Sequence, residues 1–113
     1  MEVKSVPLVG DDGKSHFPDK TKIKKGEVVS PRALKHIIHL QEMVSKDMNS
    51  YLVYCIQRGD SKGFNLSPND SIYRNAVLEA IKNGVIVILI YFDWILVDSF
   101  AHCYVRHMKL LEN

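Results

Sequence analysis

Glu2 and Lys4 lie two residues apart in EVKSVPLV, a segment alternating enough to form a strand. Side chains at i and i+2 of a strand project from one face, so a carboxylate and an ammonium would share one site. They could form an ordinary ion pair on an exposed strand, or two groups of a reactive centre. His36 and His39 are three residues apart on one face of an expected helix, a spacing that can bind a metal. No third ligand accompanies them, so a solvated or DNA-facing role suits them better. Arg32, Lys35, Arg58 and the lysines of KTKIKKGE (Lys20–Glu27) could contact backbone phosphates or simply be solvated.

The elements that must position these groups fit one small domain of 113 residues, 46% of them hydrophobic and 25% charged. The formal net charge of +2 does not by itself predict nucleic-acid binding. Met1-Glu2-Val3-Lys4 runs straight into a strand pattern, so no secretory leader is expected. An intracellular, soluble protein is expected. Cys55 and Cys103 sit inside apolar runs without metal-ligand spacing, which suggests buried, reduced thiols.

Along the chain, Pro7 places the first strand at an edge or ends its pairing. Ser30-Pro31 is a helix start, with Ser as N-cap, and the helix should run to about Lys46. Leu34, Ile37, Ile38 and Val44 supply its inward stripe. Tyr51–Ile56 reads as a buried strand. Asp70 caps a second helix that buries Tyr73, Ala76, Val77, Ala80 and Ile81, and Asn83-Gly84 ends it. The run Val85–Leu96, VIVILIYFDWIL, is too short to span a membrane and is broken by Asp93. It reads as a strand buried on both faces. Asp98-Ser99 turns the chain into a last strand, roughly Ala101–Arg106. The order strand, helix, strand, helix, strand, strand implies an α/β domain with a mixed β-sheet flanked by two helices.

Several motifs occur in the order seen in the sugar fermentation stimulation protein family. Glu2-Val3-Lys4-Ser5-Val6 with Leu8-Val9 resembles the family's E-V-K-S-V-T-L-V, Pro7 replacing Thr. Phe17-Pro18-Asp19 is similar to F-P-D, and Arg32-Ala33-Leu34-Lys35-His36 to R-G-x-K-H. Gln57-Arg58-Gly59-Asp60 resembles Q-R-x-D. Phe64, Pro68, Asp70 and Tyr73 approximate F-x-P and D-P-x-Y, and Asn83-Gly84-Val85 is similar to A-G-V. The resemblance covers about residues 2–90 and fades after Tyr91. A basic insertion from about Lys20 to Val29 replaces a short family connection.

The resemblance implies a partial restriction-endonuclease-like, PD-(D/E)xK core over residues 1–113. The family's N-terminal OB-like domain and the strand bearing the metal-binding Asp would be absent. It implies that Glu2 holds a hard cation, Mg²⁺, while Lys4 offsets charge growing on a phosphate. Gln57 would either face that site or be a strand-end glutamine in solvent. Asp19 and Asp60 are the carboxylates that could replace the missing Asp, although a turn residue and a strand-end cap are their simpler readings. DNA is the implied partner, RNA being a further option, and Arg32, Lys35, His36 and Arg58 would contact its phosphates. The ranked alternatives are a DNA-binding domain, a Mg²⁺-dependent nuclease, and an inactive remnant whose exposed sheet edge a second copy or a partner would cover.

Overall fold

A computed structural model describes residues 1–18, 30–68 and 70–112. Strand β1 (Glu2–Val6) is followed by β2 (Ser15–Phe17), α1 (Pro31–Ser45), β3 (Tyr51–Ile56), β4 (Phe64–Leu66), α2 (Ser71–Lys82), β5 (Ile86–Val97) and β6 (Phe100–Leu110). The main sheet has the order β1-β3-β5-β6. The first three strands are parallel, and β6 returns antiparallel to β5, so the sheet is mixed as expected. β2 and β4 form a separate parallel pair that the sequence did not suggest. Each has three residues, too few to carry a readable period.

The helix caps follow the sequence. Ser30 Oγ accepts from Ala33 N at 3.1 Å with Pro31 in the first turn. Asp70 Oδ1 accepts from Tyr73 N at 3.0 Å. Gly84, at φ +104°, releases the chain from α2 into β5. The stripe on α1 is shifted: Ala33, Ile37 and Leu40 are buried, whereas Ile38 is 48% exposed. At 3.6 residues per turn Ile38 lies about 100° round from Ile37, which carries it off the core.

Both helices lie on the same side of the sheet. They pack on each other, with Asn83 Nδ2 donating to Gln41 Oε1 at 2.9 Å. Beneath them the register aligns Val6, Ile56 and Tyr91 in one row, and Tyr54 and Leu89 in the next. All are buried, and they form one cluster with Ile37, Leu40, Tyr73 and Val77. The opposite face has no such cover among the described residues. β5 is therefore not buried on both faces. Val87, Leu89 and Tyr91 are buried, but Ile86 is exposed and Ile88 and Ile90 are only half-buried. Beyond Phe92 the strand leaves the shelter of the helices, and Trp94–Val97 are exposed.

β6 is also longer than expected, and each of its residues is exposed. The turn at Asp98-Ser99 is present, with both residues at positive φ, the geometry of a two-residue hairpin. The cysteines depart from expectation too. Both are free, but Cys55 is half-buried and Cys103 is exposed, because their apolar neighbours belong to the uncovered face.

Candidate functional site

The parallel β1–α1–β3 crossover lays α1 across the face of β1 from which Glu2, Lys4 and Val6 project. Val6 goes into the core, while the two charged residues meet His36 at the margin of the helix layer. Lys4 Nζ is 2.7 Å from His36 Nδ1, and Glu2 Oε2 is 3.3 Å from the same nitrogen. One ring nitrogen cannot accept from Lys4 and donate to Glu2 at once. With a neutral imidazole protonated at Nε2, the ammonium donates to Nδ1. With Nδ1 protonated, the partner becomes the carboxylate. The three side chains thus form one cluster on β1, the edge strand of the sheet among the described residues.

Burial lowers the pKa of the Lys4 ammonium. Glu2 opposes that shift, and the charge of Arg32, one turn before His36 on α1, adds to it. Positive charge is therefore crowded at this end of β1. The expected same-face pairing of Glu2 and Lys4 is present, and the crossover brings His36 and Arg32 to it. Lys35 is exposed on the same helix.

The remaining expected residues lie elsewhere. Gln57 N donates to Val6 O at 3.0 Å, but its side chain leans toward Ser5 Oγ, at 3.5 Å. Ser5 projects from the face opposite Lys4, so Gln57 does not join the cluster. Arg58 is exposed and donates to both carboxylate oxygens of Asp60, at 2.9 and 2.5 Å. Those hydrogen bonds hold the Asp60 carboxyl below its usual range, and Asp60 serves Arg58 rather than the Glu2 site. Gly59 between them admits the Asp93 carboxylate where a Cβ would collide. His39 is exposed, 3.9 Å from Glu42. Asp19 and the lysine loop Lys20–Glu27 lie outside the described residues.

A second basic feature escaped the sequence reading. Ser61, Lys62, Gly63, Tyr91, Arg106, His107 and Lys109 line an open hollow of about 240 Å³ that has no acidic residue in its wall. Arg106 is fixed there, donating to Ser61 O at 3.3 Å with its guanidinium 5.4 Å from the centre of the Tyr91 ring. No short-range motif marks it, because the loop and β6 meet only through the fold.

Glu2 and His36 offer one carboxylate and one imidazole. Among the described residues no group of three or more His, Cys, Asp or Glu side chains could hold a metal ion. Mg²⁺ demands near-octahedral oxygen coordination, which this pair does not supply.

A mixed α/β domain with a Glu-x-Lys edge strand facing a helix-borne histidine is the class that this arrangement defines. The chain belongs to the sugar fermentation stimulation protein family: residues 1–96 match the family model described as "Sugar fermentation stimulation protein RE domain". It is 36% identical over 88 residues to a sugar fermentation stimulation protein homolog of Desulforamulus reducens, covering 75% of this chain and 32% of that one. A homolog from Citrifermentans bemidjiense is 38% identical over 88 residues, covering 75% of this chain and 33% of the other. The chain thus spans about a third of the length of these relatives. Among solved structures, Pyrococcus furiosus SfsA in complex with Ca²⁺ matches over 97% of this chain and 42% of its own, with a TM-score of 0.72 and 17% identity. No described helix is long and apolar enough to cross a membrane.

Proposed function

We propose that this chain is a nucleic-acid-binding domain that grips the phosphate backbone of DNA. The observation that carries the reading is the meeting of Lys4 and His36 beside a single carboxylate, Glu2, with the charge of Arg32 felt at Lys4. Burial is what chiefly lowers the Lys4 pKa; a phosphate placed there gives the desolvated ammonium a counter-charge and offsets the smaller repulsion from Arg32. Lys35 and the hollow holding Lys62, Arg106 and Lys109 extend the contact. Arg58 joins only by giving up Asp60, so it contributes less. Contacts of this kind position a duplex without reading its sequence.

Fluorescence anisotropy with a labelled DNA duplex tests this. Affinity should fall linearly on a log–log salt plot with a slope near −0.9 per phosphate neutralised. Arg32→Ala and Lys35→Ala should each reduce that slope by about one. An absence of binding at low salt sinks the proposal. RNA bound equally well would assign the contacts to phosphates alone.

A second reading is metal-dependent cleavage. The same-face Glu2 and Lys4 favour it, as does the complex that P. furiosus SfsA forms with Ca²⁺. The described donors do not complete a Mg²⁺ site, so cleavage would need a carboxylate from beyond them. Glu2→Gln separates the readings. Without divalent ions it should strengthen DNA binding by removing a negative charge. If cleavage is real, the same variant should abolish it.

A further inference from the structure

The uncovered face of the main sheet continues without a break into the β5–β6 arm. Along β5 it carries Ile86, Ile88, Ile90, Phe92, Trp94 and Leu96, since alternate residues share a face. Their β6 partners, from Leu110 opposite Ile88 to Ala101 opposite Leu96, are uncharged. The register shift beside Tyr91 leaves Arg106 out of this pairing and turns it onto the helix side, against the Tyr91 ring. Val3, 54% exposed, extends the face onto β1. No Asp, Glu, Lys or Arg of the described strands lies on it.

Trp94, Leu96, Met108 and Leu110 are between 49% and 75% exposed. With their neighbours they present on the order of 800 Å² of apolar surface, the area that each partner gives to a standard stable interface. Monomers rarely leave a contiguous patch of more than a few hundred Å² open.

We infer that two copies of this chain pack these faces together as a two-fold sheet-on-sheet dimer. Three features select a second copy. A two-fold contact sets each patch against itself, which an uncharged face allows and a charged one forbids. The arm is the same sheet prolonged, so it cannot fold back over its own face. Twisted sheets pack face to face about 10 Å apart, interdigitating side chains of this kind. The net charge of +2 adds little repulsion. This assembly is independent of the nucleic-acid reading, because Lys4 and His36 lie on the opposite face.

Sedimentation of the full chain tests it from about 10 nM to about 100 µM, since interfaces of this size have affinities from micromolar downward. The expected species has twice the 12.9 kDa chain mass. Trp94 is the single tryptophan and lies on the face, so its emission should shift to the red on dilution. Leu96→Lys and Met108→Lys, both at exposed positions, should each weaken the dimer at least tenfold while the far-UV circular dichroism stays unchanged. A monomer at 100 µM, an open-ended series of oligomers, or a dimer indifferent to both substitutions overturns the inference. So does a monomer that binds uncharged phosphatidylcholine vesicles through Trp94. Should both variants misfold, the wild-type mass and the Trp94 dilution series decide alone.

Discussion

The two faces of the sheet are built from the same residue types and have different fates. On one, Leu52, Tyr54 and Leu89 are wholly buried beneath the helices. On the other, Ile88 and Ile90, next to Leu89 in the chain, are only half-buried. Composition does not make this difference; connectivity does. β1 crosses to β3 and β3 to β5, each by a parallel connection to the adjacent strand in the same direction. Crossovers of one hand taken in one direction place their helices on one side. The helix side became a core and, at its margin, a charged cluster. The other side, Val53 on the central strand excepted, kept its apolar residues as open or half-open surface.

Adjacent residues of β5 offer the strongest way to break this comparison. Leu89→Ala empties a fully buried position and should cost about 2–5 kcal/mol. For a domain of this size that is a fall in Tm of about 8 °C or more. Ile88→Ala should cost about 1 kcal/mol or less in dilute solution, where its face is open to water, and more as the concentration rises. Thermal melts of both variants at two concentrations measure the contrast. Equal losses at every concentration would mean that the two faces are equally buried in the monomer.

The next effect concerns the helix that makes the faces unequal. Ser30 caps α1, which covers the core and carries His36 to Lys4. Ser30→Ala should lose about 1 kcal/mol and Ser30→Asp should restore it, read by chemical denaturation. If the alanine variant also loosens DNA binding by more than its stability loss explains, the cap sets the position of His36 as well as the helix start.

These contrasts also mark what was legible in the sequence. The caps, β3, α2 and the Asp98-Ser99 turn were readable because each rests on local chemistry. The bare face was not, because residues 86–92 are apolar at every position and alternation cannot be seen in an unbroken run. The exposure of Cys103, opposite Trp94 on β6, follows from that bare face. The shared face of Glu2 and Lys4 was readable from strand geometry. Their contact with His36 was not, since it spans 32 residues and depends on where a crossover sets a helix. The placement of Gln57 also needed the sheet: one residue beyond Ile56, it leans toward Ser5 rather than Lys4.

The smallest expected effect is diagnostic through its sign. Burial holds the folded pKa of Lys4 below its unfolded value. Between the folded pKa and the unfolded value of 10.5 the unfolded chain binds more protons, so this group makes stability rise with pH across that window. Below the window its cost is complete. Lys4→Met removes the cost, so at pH 7 the variant should be at least as stable as the wild type. Its advantage should shrink as the pH climbs toward 10.5. The buried tyrosines titrate in both proteins, and the difference between the two curves cancels them. DNA affinity should meanwhile fall. A variant that is less stable at neutral pH, by an amount that does not change with pH, would make Lys4 an ordinary ion-pair partner of Glu2. The helix-side margin of β1 would then be structural, and the contrast between the faces would be one of packing alone.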